Sequence, residues 1–98
     1  MEKGTLHCRL RDIKTHIQAG RVRATVSALS GGAALGLDFD GMIRVVMSLT
    51  ARDFYKSMTT HASHRIWQDV YRLTTPEGDI YLKLTVVDEV LVVSFKEL

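Results

Sequence analysis

The sequence has only one cysteine, Cys8, among its 98 residues. A single thiol cannot form an internal disulfide, which fits a reducing compartment, and it excludes a zinc site built from several cysteines. Long apolar runs are also missing, since the longest, in "LTVVD" and "DEVLVVSF", fall far short of the roughly 20 residues that span a bilayer. The first residues, "MEKGTLHCRLRD", contain no apolar segment of the kind found in a secretory signal. We therefore expect a cytoplasmic protein that does not insert into a membrane.

Proline is equally scarce, because Pro76 is the only one and lies in the turn segment "TTPEG". The chain has no internal repeat, low-complexity stretch or linker, so we predict one domain over residues 1–98. Hydrophobic residues make up 46% of the chain and charged residues 24%, which is a globular composition. The net charge of +2 is too small to indicate a nucleic-acid partner by itself, so the distribution of charge must decide that question.

The N-terminal half shows helical periodicity. Leu6, Leu10, Ile13 and Ile17 recur every three or four residues, and Gly20 stands where a left-handed C-terminal cap is expected. These positions predict a first helix with one apolar face.

Two further helices follow. Thr25 is a good N-cap for the stretch "VSALSGGAALG", although the pair Gly31–Gly32 has low helix propensity and leaves the length of this helix open. Asp38 or Asp40 is placed to cap "GMIRVVMSLT", in which apolar residues again recur at helical spacing.

From residue 53 the apolar period changes to two. Four segments rich in β-branched and aromatic residues are separated by turn residues: "DFYKSMT" (53–59), "IWQDVYRL" (66–73), "DIYLKLTVV" (79–87) and "EVLVVSFKE" (89–97). Helices followed by strands predict an α+β fold, with three N-terminal helices packed on one face of a C-terminal antiparallel β-sheet meander.

The turn lengths predict how the strands pair. A two-residue turn at Asp88–Glu89 would pair Val87 with Val90 and place Tyr81 opposite Lys96. The two preceding loops give the remaining pairs: Arg72 with Tyr81, Val70 with Lys83, Gln68 with Thr85, Lys56 with Val70, and Met58 with Gln68.

These registers separate the sheet into two faces. The face predicted to form the core carries Ile80, Leu82, Leu84, Val86, Leu91, Val93, Phe95, Trp67 and Tyr71. The other, here called the basic face, carries Lys56, Met58, Gln68, Arg72, Tyr81, Lys83, Thr85, Ser94 and Lys96. It has four cations and, in this prediction, no carboxylate. Such a surface suits single-stranded RNA, whose phosphates need cations and whose bases can stack and hydrogen-bond. A merely solvated polar sheet surface would also account for it.

No motif predicts a metal or nucleotide site. His61 and His64 form an HxxH pair in a loop without nearby cysteine, and solvated histidines explain them better than zinc does. Helix capping explains "DFDG" at 38–41 better than a calcium loop, because Leu49 stands where the ligating glutamate belongs. We therefore expect no cofactor.

Several motifs resemble a known family. The segments "ALGLDFDGM", "DFYKSMTT", "IWQDVYR", "YLK" and "VSFKE", spread over essentially the whole chain, resemble the MqsR (motility quorum-sensing regulator) toxins of bacterial toxin–antitoxin pairs. The resemblance implies a RelE-like ribonuclease fold and a metal-independent endoribonuclease that cuts single-stranded mRNA near GC-starting triplets such as GCU. It also implies, as a partner, a zinc-containing, DNA-binding antitoxin.

The resemblance also assigns residues. Lys56, Gln68, Tyr81 and Lys96 match family positions tied to activity, while Tyr55 and Met58 match positions lining the RNA site. The predicted basic face adds Arg72 and Lys83 as RNA-binding cations.

Metal-free cleavage requires deprotonation of the 2′-hydroxyl, stabilisation of the phosphate and protonation of the leaving oxygen. Lys56 and Lys96 would stabilise the phosphate, and either would serve as base if neighbouring cations lowered its pKa. Tyr81 would transfer a proton or hydrogen-bond the phosphate, and Gln68 would orient the RNA or read a base. A non-catalytic RNA-binding module and a protein-interaction domain remain as alternatives.

Overall fold

The chain folds into three helices and one six-stranded sheet in the computed structural model, which describes residues 1–98. In chain order the elements are β1 (Glu2–Lys3), α1 (Leu10–Gln18), β2 (Val22–Ala24), α2 (Val26–Ala34), α3 (Phe39–Met47), a 3₁₀-helix (Ala51–Asp53), β3 (Phe54–Thr59), β4 (Trp67–Thr75), β5 (Gly78–Val87) and β6 (Glu89–Glu97). The strand order across the sheet is β1-β3-β4-β5-β6-β2. None of the helices is long and apolar enough to cross a membrane.

The predicted four-stranded antiparallel meander is present as β3 to β6, and two short strands extend it. β1 pairs antiparallel with β3 at one edge, and β2 pairs parallel with β6 at the other. The sheet is therefore mixed, and two of its strands lie among the helices in sequence. Both added strands are too short, at two and three residues, to show a period of two.

Each helix begins or ends at a residue that satisfies its free backbone groups. Gly20 takes the left-handed conformation (φ 79°) predicted after α1, although α1 begins only at Leu10. The Thr25 hydroxyl accepts a hydrogen bond from the backbone of Ala28 (3.0 Å) and caps α2. The Asp38 carboxylate accepts from the backbone of Gly41 (2.7 Å), so Asp38 rather than Asp40 caps α3.

The pair Gly31–Gly32 lies inside α2 rather than ending it. A Cβ at Gly31 would lie 1.8 Å from the carbonyl oxygen of Phe95, and one at Gly32 would lie 2.4 Å from the sulfur of Met42. The two glycines therefore allow α2 to approach β6 and α3 closely, and this packing outweighs their low helix propensity.

One hydrophobic core joins the three helices to one face of the sheet, as predicted. Its buried residues are Ile13, Ile17, Ala28, Met42, Val45, Val46, Leu49, Tyr71, Leu73, Ile80, Leu82, Leu84, Val90, Val92 and Phe95. Trp67, predicted to belong to it, instead stacks on His7, with ring centroids 5.9 Å apart, and lies beneath the Lys3 amine. The N-terminal segment therefore packs against this tryptophan.

The turn between β5 and β6 differs from the prediction. It consists of Asp88 alone at positive φ (65°), and Val87 pairs with Glu89 rather than with Val90. A β-bulge between Lys83 and Leu84 then shifts the register by one residue, so that the other half of the hairpin pairs as predicted.

The same bulge exchanges the faces of residues 90–93. Val90 and Val92 are fully buried in the core, whereas Leu91 and Val93, predicted as core residues, lie half-buried on the opposite face. A shift of one residue reverses the side-chain direction in a strand, which explains the error.

Candidate active site

The basic face lies on the side of the sheet that the helices leave uncovered, and its residues align in rows across the strands. One row runs Arg72, Tyr81 and Lys96. Beside it the neighbouring row runs Lys56, Val70, Lys83 and Ser94. Further along, Met58 pairs with Gln68, and Thr85 pairs with Leu91. The structure therefore brings together all four residues predicted as catalytic and three of those predicted to bind RNA.

Tyr55, the remaining predicted RNA-binding residue, also reaches this face. A β-bulge between Phe54 and Lys56 interrupts the alternation of β3, so the neighbours Tyr55 and Lys56 share a side. The guanidinium carbon of Arg72 lies 3.8 Å from the centroid of the Tyr55 ring, and the Lys56 amine lies 5.4 Å from it. Tyr55 is 45% exposed and therefore offers a stacking surface next to two cations.

Tyr81 and Lys96 form a cross-strand pair on β5 and β6, as predicted. The Lys96 amine lies 5.1 Å from the centroid of the Tyr81 ring, within cation–π range. Lys96 is exposed and Tyr81 is half-buried. The ammonium and the phenol are thus both accessible from the same side of the sheet.

The prediction that no carboxylate reaches the basic face is wrong. The Glu2 carboxylate binds the Lys56 amine at 3.0 Å, because β1 pairs with β3 and places Glu2 beside Met58. This hydrogen bond is the main reason that the pKa of Lys56 is raised, so Lys56 stays protonated. The contact joins residues 54 positions apart, and the sequence gives no local signal for it.

Lys83 has the opposite electrostatic environment. Burial lowers its pKa, and the positive charges of Lys96 and Lys56 lower it further. Its row partner Val70 is fully buried beneath the surface of the basic face, which provides an apolar floor next to the amine. Lys83 therefore gives up its proton more readily than an ordinary lysine does.

Asp69 fixes the N-terminal segment that carries Glu2. This buried carboxylate accepts hydrogen bonds from the backbone N–H groups of His7 (3.0 Å) and Cys8 (2.9 Å) and from the Ser57 hydroxyl. The sequence has no local signal for this role, because the Asp69 carboxylate faces the core side of β4 and binds a segment about 60 residues away. Burial is the main cause of a raised pKa at the Cys8 thiol, which therefore stays protonated.

His61 and His64 lie exposed in the loop between β3 and β4. No group of three or more histidine, cysteine, aspartate or glutamate side chains is arranged to hold a metal ion. The polar groups of the basic face include amines, a guanidinium, two phenols, an amide and one carboxylate. Such groups can bind phosphate and transfer protons.

Comparison with known proteins identifies relatives over nearly the full length. The family model described as motility quorum-sensing regulator, toxin of MqsA, matches residues 5–97. A protein of Escherichia coli (strain K12) named mRNA interferase toxin MqsR is 57% identical over 97 residues, which cover 99% of this chain and 99% of that relative.

Proposed function

The chain belongs to the family of motility quorum-sensing regulators, toxins of MqsA, and on that premise we propose that it is a toxin that cleaves mRNA at its basic face. The main support for this proposal is the arrangement of two rows on the sheet: Arg72, Tyr81 and Lys96 lie beside the row that contains Lys56 and Lys83. Cations, a phenol and an exposed aromatic ring on one surface match the phosphates, the reacting hydroxyl and the bases of single-stranded RNA.

We assign the charge-stabilising role to Lys56 and Lys96. A scissile phosphate gains negative charge at its oxygens as the 2′-oxygen attacks, so fixed ammonium groups stabilise the transition state. Lys56 suits this role because its amine already binds an anionic group, the Glu2 carboxylate, whose place the phosphate would take. Arg72 and Tyr55 would hold the adjoining nucleotide by charge and stacking.

Proton transfer needs a base and an acid. Lys83, whose pKa is lowered, supports the role of base for the 2′-hydroxyl better than Lys56 does. This assignment changes the role of Lys83 from RNA binding to catalysis. Tyr81, paired with Lys96, would protonate the leaving 5′-oxygen or hydrogen-bond the phosphate, and Gln68 would orient the neighbouring base. Cleavage would then need no metal ion.

The resemblance also implies a fold family, a cleavage triplet and an antitoxin, and we include these in the proposal. These are a RelE-like ribonuclease domain over residues 1–98, cleavage near GC-starting triplets such as GCU, and neutralisation by a zinc-containing, DNA-binding antitoxin. Expression of the chain alone should arrest bacterial growth with loss of mRNA, and coexpression of the antitoxin should restore growth. Harmless overexpression of the folded chain would contradict the toxin role.

A non-catalytic RNA-binding module would share the same cationic surface, so cleavage itself must be measured. The purified chain is incubated with a defined single-stranded RNA in EDTA, and the new ends are mapped by primer extension. We expect discrete cuts that persist in EDTA. Retention of RNA without cuts would indicate the binding module, and neither binding nor cuts would indicate a protein-interaction domain.

A further inference from the structure

A cleft of about 500 Å³ opens at the end of the basic face nearest the turn of the β5–β6 hairpin. Its walls are aliphatic and come from Ile66, Val87, Leu91 and Val93. Two of these side chains are unusually exposed for their size, Val87 at 62% and Ile66 at 39%. A concave apolar site of this volume is large enough for a small planar group.

The cleft continues the row that contains Gln68. Gln68 and Thr85 line it, and they lie on β4 and β5 two residues along from Val70 and Lys83. Two residues of a strand span about 7 Å, which is within the reach of one nucleotide. An RNA whose phosphate contacts Lys56 and whose 2′-hydroxyl lies at Lys83 would therefore bring a flanking base to the mouth of the cleft.

The charges at the cleft differ from those on the rest of the face. Arg23 on β2 binds Glu89 at 2.6 Å, so the two charges at the rim balance each other. A phosphate would gain little there, whereas the edge of a base could use both the guanidinium donors and the carboxylate acceptor. The aliphatic walls would contact the two faces of such a base, as apolar side chains do in pockets that hold unstacked bases.

We propose that this cleft binds one nucleobase flanking the cut and so contributes to the choice of cleavage site. The inference rests on the proposed function, since it needs an RNA held on the basic face. It places the determinants of site choice on Ile66, Val87 and the Arg23–Glu89 pair, away from the cations that contact phosphate.

The test uses an RNA with a single cleavage site and an abasic ribonucleotide placed in turn at each of the three positions on either side. Wild-type protein should lose activity sharply at one position, by about 5- to 150-fold in kcat/KM, the range typical of losing one base contact. The variant Ile66→Ser/Val87→Ser should lose a similar factor on the normal RNA and nothing further at that position. At the other positions the fold-loss in kcat/KM caused by the double variant should multiply with the fold-loss caused by the abasic site.

Leu29→Ser is the matched control, because Leu29 is 40% exposed but lies on α2 in the helical layer. It should behave as wild type on every RNA. If the double variant has a clearly lower Tm than the wild type, Val87→Ser alone replaces it, since Val87 is the most exposed of the aliphatic residues that line the cleft.

Losses that multiply at every position would overturn the proposal. So would variants that cleave all the RNAs as wild type does but lose affinity for the antitoxin, because the cleft would then be a protein contact. Failure of the wild type to cut any RNA is a distinct result, which would overturn the ribonuclease function first and this inference with it.

Discussion

Removing the hydroxyl of Tyr81 and the ammonium of Lys96 tests whether the basic face is catalytic. Tyr81→Phe keeps the ring that lies 5.1 Å from the Lys96 amine, so it removes only the hydroxyl. Loss of one group that stabilises developing charge costs about 10²- to 10³-fold in rate, or about 2.7–4 kcal/mol. We expect a loss in that range for Tyr81→Phe and for Lys96→Ala, measured as kcat/KM on a single-site RNA. If both groups hold the same phosphate, the double variant should be scarcely worse than the poorer single.

Neither side chain belongs to the hydrophobic core, so the protein should remain folded. Substitutions of this kind change the free energy of unfolding by no more than about 0.5 kcal/mol. For a domain of this size, that corresponds to about 2–4 °C in Tm. Arg11→Ala, which removes an exposed positive charge from α1, serves as the control and should keep full activity. Losses that multiply in the double variant, or a much larger fall in Tm, would refute the pairing or the face assignment.

Three further predictions concern stability and pH. Asp69→Ala leaves two backbone N–H groups of the N-terminal segment without their acceptor and should cost about 2–4 kcal/mol in urea unfolding; a loss below about 0.5 kcal/mol would contradict this role. If the neutral Lys83 amine is the base, activity should rise with pH and level off below the ordinary lysine pKa of 10.5. Lys83→Met should abolish that rise, and an unchanged pH profile would show that Lys83 is not the base. Gly31→Ala places a Cβ against the Phe95 carbonyl and should lower the free energy of unfolding by about 1–3 kcal/mol or more, whereas the control Gly4→Ala meets nothing within 4 Å. Equal Tm values for the two variants would show that α2 can move away from β6.

The strands and helices could be predicted because their signals are local. The cap at Thr25 and the cap glycine Gly20 act within a few residues and are confirmed, and of the two predicted alternatives Asp38 caps α3. The pairing of Tyr81 with Lys96 was predicted correctly from an incorrect turn. The real turn is one residue shorter, and the bulge in β6 compensates for it. A bulge depends on packing across the sheet, which no sequence period reports.

The missed parts of the candidate site depend on long-range contacts. Glu2 reaches Lys56 only because a two-residue strand pairs at the sheet edge, and so short a strand has no detectable period. The period of two predicts Leu91 and Val93 as core residues, so it does not predict the apolar cleft that they line at the end of the basic face. The bulge in β6 turns both side chains toward the basic face, where they line the cleft.

Replacing one sugar tests the proposed cleavage mechanism. An RNA with a single cleavage site is prepared with ribose or with 2′-deoxyribose at the nucleotide 5′ to the cut, and both are incubated with the protein in EDTA. If the 2′-oxygen is the nucleophile activated on the basic face, the ribose substrate should yield 2′,3′-cyclic phosphate or 3′-phosphate ends. The deoxy substrate should resist cleavage at that site. Cleavage of both substrates at equal rates, or activity that EDTA abolishes and magnesium restores, would contradict this mechanism.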